Sequence, residues 1–234
     1  DEFHQNPESV LSKGVWLKKE GKKVQALPEI DWNQYYSPFE IDFELTDEDF
    51  QLSTPIGIEL VNDVITKPYS VAIQLHKSEL SPGSDESFLM LIDKNGNWRI
   101  NAMLKGFATD VMGFASSYST TGDIILIGKN KQDIKHAFNE LKKMKGGIVL
   151  AENNEVIASL PLAGAGSFYI GTMEELMEKE AALKAALRER GYKHTDAIYT
   201  LFFLQSTHLP YIRITQKGIF DVMNKEVMIP SVMR

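Results

Sequence analysis

The run Tyr118-Ser119-Thr120-Thr121-Gly122-Asp123 gathers a phenol, three aliphatic hydroxyls and a carboxylate directly before the apolar stretch Ile124–Ile127. Small polar residues ahead of a buried strand often line the mouth of a pocket. Hydroxyls both donate and accept hydrogen bonds. The run has no histidine and no cysteine, and serine and threonine are poor proton shuttles near neutral pH. By residue type alone the run can be a catalytic loop, the remnant of one or a linker, and its hydroxyls and single acid leave all three open. No residue of the chain stands out as a catalyst by motif.

The rest of the chain supplies few alternatives. The histidines are His4, His76, His136, His194 and His208. No two of them sit at the i,i+2 or i,i+4 spacing of metal ligands. Each reads as an ordinary surface or boundary residue, and a complete metal site within this chain is not expected. The absence of cysteine excludes thiolate nucleophiles, disulfides and cysteine-ligated zinc. No serine lies in a G-x-S-x-G elbow. Asp47-Glu48-Asp49 reads as a solvated helix start. The stretch LAGAGSFYIGTMEE places Gly164, Gly166 and Gly171 before a helix, where backbone N–H groups can receive an anion. Its spacing is neither G-x-G-x-x-G nor a P-loop, so the glycines are read as serving a tight turn.

The chain has 234 residues and a formal net charge of -7, enough for one large domain or two small ones. The acidic balance argues against a nucleic-acid partner, which needs clustered lysine and arginine. The lysines at 18, 19, 22 and 23 and at 142, 143 and 145 are short, interrupted groups read as solvated faces. There is no apolar run of about eighteen residues to span a membrane and no visible signal peptide. A cytoplasmic protein is expected, which the lack of cysteine suits.

The elements that must position the polar run follow from periodicity. SVLSKGVWLKKEGKKV reads as a strand pair with turns at Lys13-Gly14 and Glu20-Gly21, too small to be stable alone. Residues 28–55, punctuated by proline, read as a connector with a short helical turn near Thr46. Ile58, Leu60, Val64 and Ile65 suggest one strand and Tyr69–Leu75 another. Phe88–Ile92 and Trp98–Leu104 flank Asn95-Gly96 as a hairpin. Ile124–Ile127 is the kind of continuous apolar run that is buried on both faces. Asn130 should cap a helix bearing Ile134, Phe138, Leu141 and Met144 on one face, stopped at Gly146-Gly147. A second hairpin is expected about Asn153-Asn154. Thr172 with Glu175 forms a capping box for the longest helix, ending at Gly191. Ile198–Leu204 reads as an apolar, β-rich run, Tyr211–Thr215 as a strand, and Ile219–Val222 as the closing strand. The fold class expected is α+β or mixed α/β: a β-rich domain with a mixed sheet and a few packed helices, preceded by a small β-sandwich fragment.

Three segments, taken in order, resemble a known family: residues 106–166, the long capped helix, and residues 196–222. The marks are Gly106-Phe107, Ala115-Ser116, Ile124-Ile125 with Gly128 and Asn130, Gly146-Gly147, Leu160-Pro161-Leu162 with Gly164, Thr200-Leu201 with Phe203-Leu204, Leu209-Pro210 and Lys217-Gly218. This pattern is similar to the C-terminal domain of bacterial adenine deaminases of the amidohydrolase superfamily. Val10–Val24 also resembles the last strands of the small β-sandwich that amidohydrolases complete after their barrel. The resemblance implies residues 1–27 as the end of that sandwich, 28–55 as connector and 56–234 as the C-terminal-like domain, with a catalytic barrel upstream of Asp1.

The implied reaction is hydrolytic deamination of adenine to hypoxanthine and ammonia, by a hydroxide bound to manganese or iron. The metal ligands would come from barrel histidines and acids outside this chain, so this chain alone is not expected to be catalytic or to hold a cofactor. Typical members carry a His-Asp-Ser-His run where this chain has Tyr118 to Asp123, which would make those residues substrate-proximal. The implied partner is the barrel of the same polypeptide, with a homo-oligomer as a further option. Two rival readings remain at this stage: a non-catalytic binding or oligomerisation module, and a hydrolase of another purine-like or cyclic amide substrate.

Overall fold

The computed structural model describes residues 7–26, 30–52, 54–71 and 79–234. The chain divides into two compact units, Asp1–Tyr35 and Tyr36–Arg234. The first carries an antiparallel meander of β1 (Val10–Ser12), β2 (Val15–Lys19) and β3 (Lys22–Lys23). Lys13-Gly14 and Glu20-Gly21 all have positive φ, as two-residue hairpin turns require. No strand residue of the meander is buried.

The second unit is built on one large sheet. Its strands are β4 (Ile56–Leu60), β5 (Thr66–Ser70), β6 (Glu86–Ile92), β7 (Trp98–Lys105), β8 (Gly113–Ser116), β9 (Ile124–Gly128), β10 (Gly147–Glu152) and β11 (Glu155–Pro161). They lie in the order β11-β10-β8-β9-β6-β7-β4-β5. Every pairing is antiparallel except β4 on β7, which is parallel. The helix α1 (Lys131–Lys143) connects β9 to β10. These two strands both run antiparallel to β8, so they are parallel to each other with β8 inserted between them. The β–α–β alternation legible in the sequence is therefore a crossover that skips one strand.

Both faces of the sheet are covered, which is why its central strands read as unbroken apolar runs. On one face Ile125, Ile127, Leu89, Leu91, Ile148 and Leu150 join a core with Leu183 and Leu187 of α2 (Met173–Glu189) and Leu201 of α3 (Ala197–Phe203). Ile212, Ile214 and Ile219 complete it from a second small sheet of β12 (Ile212–Thr215), β13 (Gly218–Asp221) and β14 (Glu226–Pro230). On the other face Ile124, Leu126, Met90, Val149 and Ala151 pack with Ile134, Phe138 and Leu141 of α1 and with Phe39, Leu45 and Phe50. The last strand, β15 (Val232–Met233), pairs with the start of β7.

Several sequence expectations hold in detail. The Asn130 side chain accepts from the Gln132 and Asp133 N–H groups at 2.8 and 3.1 Å. Thr172 and Glu175 form the reciprocal capping box. Asn153 and Asn154 take φ of 54 and 60 in the β10–β11 turn.

Others are corrected. Val64 and Ile65 belong to the turn between β4 and β5, held by the Asn62 side chain accepting from both their N–H groups. The strand expected at Tyr69–Leu75 ends at Ser70, and residues 72–78 lie outside the described residues. Ile198–Leu204 is the helix α3 and its C-cap rather than a β run. Asp196 caps it, accepting from Ile198 and Tyr199 N–H, and Ala197, Leu201 and Leu204 are buried at helical spacing. Burial of that face outweighs the β preference of its aromatic and β-branched residues. Two further strands follow the one expected to close the chain. Asp49 is not solvated: it is buried and pairs with Arg99 and Arg234.

Candidate functional site

The polar run joins two neighbouring strands, β8 and β9, both central in the sheet. Gly113 and Gly128 let that pair sit close beneath α1. A Cβ on Gly113 would lie 2.2 Å from the Asp133 backbone carbonyl, and one on Gly128 2.2 Å from the Met112 carbonyl oxygen. At the end of β8, Ser117 is buried. Its hydroxyl donates to the Gly166 carbonyl at 2.6 Å and accepts from Gly147 N–H at 2.7 Å. The loop therefore leaves the sheet from an anchored base.

Within the loop the hydroxyls turn inward. Ser119 Oγ donates to the Asp123 carbonyl at 2.7 Å. Thr120 donates through both its backbone N and its Oγ1 to Gln205 Oε1, at 3.1 and 3.2 Å. Gln205 Nε2 donates to Thr121 Oγ1 at 3.0 Å, and Thr121 Oγ1 donates to Asp123 Oδ2. Gln216 Nε2 donates to the same Oδ2 at 3.0 Å. The result is a directed chain, Gln205 to Thr121 to Asp123, closed from the other side by Gln216. Gln205 follows α3 and Gln216 sits in the β12–β13 turn, so the network ties the loop to two distant segments.

Asp123 is buried. Burial pushes its carboxyl up, the Thr121 and Gln216 hydrogen bonds pull it back, and the Asp93 charge adds to the rise, leaving it above the ordinary aspartate value. A cleft of about 330 Å³ opens beside this network, lined by Thr121, Gln205, Thr207, Thr215, Gln216, Lys217 and Phe220. Tyr118 stands apart. Its ring is half-buried against the core and lies 5.8 Å from the Phe202 ring. Thus the structure brings Ser119, Thr120, Thr121 and Asp123 into one network and sets Tyr118 beside it.

The amides of Gln205 and Gln216 were not found from sequence. Neither lies in a motif, and only the return of the chain after α3 and β12 places them on the loop.

The described histidines are dispersed. His194 Nε2 lies 2.9 Å from the Gly106 carbonyl, and His208 packs on Phe203. His136 lies on α1, and His4 and His76 lie outside the described residues. Among the described residues no three histidine, aspartate or glutamate side chains are grouped to hold a metal ion. With no cysteine either, the donor set described here does not fit a metal centre. The N terminus of α2 is filled by its own cap, with Glu175 Oε2 accepting from Thr172 N–H at 3.0 Å. A carboxylate there opposes an anion.

Residues 63–226 match the model of the adenine deaminase C-terminal domain. The chain belongs to that family. Over its whole length it is 48% identical to a protein of Bacillus subtilis and over 99% of its length 50% identical to one of Halalkalibacterium halodurans, both named "Putative adenine deaminase". It is 24% identical, over 97% of its length, to a Clostridium perfringens protein named adenine deaminase. The chain spans about 40% of the length of the Bacillus and Halalkalibacterium relatives and 42% of the Clostridium one. In this chain that domain is a β-sheet covered on both faces, with the β8–β9 loop held by two glutamines. No helix among the described residues is long and apolar enough to cross a membrane.

Proposed function

We propose that this chain is the C-terminal portion of an adenine-deaminase-like, metal-dependent hydrolase, and that the whole polypeptide converts adenine and water to hypoxanthine and ammonia. The observation that carries this reading is the match along the full length of the chain to relatives named as adenine deaminases. The metal, manganese or iron, is assigned to the upstream barrel. Residues 1–27 are read as the end of that barrel's β-sandwich, 28–55 as connector and 56–234 as the C-terminal domain. The small size of the β1–β3 meander, with no buried strand residue, supports this reading, because so small a sheet gains stability by joining further strands. The work is assigned to the cytoplasm, with the barrel of the same polypeptide as partner, a homo-oligomer as a further option, and neither nucleic acid nor membrane as a ligand.

The chain's own part is to present the Tyr118–Asp123 loop to the reacting purine. The anchored base and the glutamine lock support that role, since a site-shaping loop must hold one geometry. The test is ammonia release from adenine by the polypeptide extended upstream of Asp1, with Mn²⁺ or Fe²⁺ added. Turnover is expected. A folded, metal-bound protein without turnover would overturn the reading and point to another purine-like or cyclic amide substrate. The departure of this loop from the family's histidine-bearing run favours that as the second reading.

A further inference from the structure

We propose that Tyr118 is the residue of the loop that touches the substrate, and that it takes a planar heteroaromatic ring with a hydrogen-bonding edge. The inference rests on the reading that this loop faces the reacting purine. It follows from an accounting of donors. Ser116 donates to the Tyr118 carbonyl, Ser117 to Gly166, Ser119 to the Asp123 carbonyl, Thr120 to Gln205 and Thr121 to Asp123. Each of these hydroxyl protons is held by the protein itself. The phenol of Tyr118 has no hydrogen-bond partner among the described residues, and it is not sealed from solvent. It is the loop hydroxyl still free to donate to a ligand.

The ring that carries this hydroxyl is held in place. The Tyr118 N–H donates to Ser116 Oγ at 3.1 Å. The ring packs on the core and on Phe202 at an interplanar angle of 35°. An aromatic series continues from there, Phe202 to Phe203 at 5.7 Å and Phe203 to Tyr199 at 4.8 Å. Tyr199 is 56% exposed. The Phe202–Phe203 and Phe203–Tyr199 contacts are edge-to-face, at 85° and 73°, so the series braces the Tyr118 ring, and a braced ring ending in a free phenol suits a planar heterocycle whose hydrogen-bonding edge meets the hydroxyl.

The test uses the upstream-extended, metal-loaded polypeptide with Tyr118→Phe and Tyr118→Ala, reading KM and kcat for adenine and purine affinity by ligand-observed NMR. Tyr118→Phe keeps the packing and removes only the hydroxyl. It should raise KM about five-fold, the worth of one net hydrogen bond, with kcat within about two-fold. Tyr118→Ala should raise KM further. Both variants at wild-type KM and affinity, in a protein that turns adenine over, would overturn this inference and leave the proposed function standing. Lowered stability with unchanged KM would also overturn it, assigning the rings to packing between domains. A folded wild type that neither turns over nor binds purines would overturn both. Where purine binds without turnover, the affinities of the variants decide.

Discussion

Gln205 Nε2 donates to Thr121 Oγ1 at 3.0 Å while Gln205 Oε1 accepts from Thr120 N–H at 3.1 Å. One buried amide thus fixes two successive threonines that lie 85 and 84 residues away in sequence. Replacing it with leucine leaves the Thr120 N–H and both threonine hydroxyls short of a partner. Gln205→Leu should lower stability by about 1–3 kcal/mol, measured by denaturant unfolding, and Gln205→Glu should also destabilise because a carboxylate cannot donate to Thr121. Wild-type stability in both would show that the lock is not held in solution.

Asp123 carries the second expectation. Its carboxyl is raised by burial against the pull of Thr121 and Gln216. A raised folded value means that its contribution is full below the unfolded aspartate value and is lost as pH rises through the higher folded one. Asp123→Asn can still accept both hydrogen bonds through its amide oxygen. It should be near neutral in stability at acid pH and relatively more stable than wild type at neutral pH. Thermal melts of both proteins across that range check this, and parallel curves would refute it.

Asp49 behaves in the opposite sense. Burial pushes its carboxyl up, but the Arg234 guanidinium and the Thr46 N–H and hydroxyl outweigh this and hold it below the ordinary value. Arg234 grips it through two nitrogens, at 2.6 and 2.9 Å. Stability from Asp49 is present above the unfolded aspartate value and lost as pH falls through the lower folded one. Asp49→Asn should cost about 3 kcal/mol at neutral pH, as for one partner removed from a buried pair, and the deficit should shrink in acid. A constant deficit would show that packing, not charge, is at stake.

Gly113 gives a prediction about the platform beneath the loop. A Cβ there meets backbone atoms of α1, which cannot rotate away. Gly113→Ala should destabilise by about 3 kcal/mol, at the upper end for overpacking. A melting temperature unchanged from wild type would show that α1 can lift from β8 freely.

Much of the scaffold was legible because it depends on local rules. Asn130, Thr172 and the Asn153-Asn154 turn place their caps and turns from their own neighbours, and Ile124–Ile127 shows double burial in four residues. The run Ile198–Leu204 misled because its residues favour strands locally, whereas Asp196 and a buried face made it a helix. Asp47-Glu48-Asp49 misled because nothing adjacent announces that Arg234 will return to meet Asp49.

The sequence by itself determined the fold class, most elements of the large sheet, α1 and α2, and the family. Those signals are carried by periodicity, capping and recurring glycines within a few residues of each other. The tertiary structure alone decided which loop groups are held and which are free. It placed Gln205 and Gln216 against Thr121 and Asp123, and left the Tyr118 phenol without a hydrogen-bond partner among the described residues. A hydrogen bond depends on distance and direction in space, and residues more than eighty positions apart acquire both only when the chain has folded.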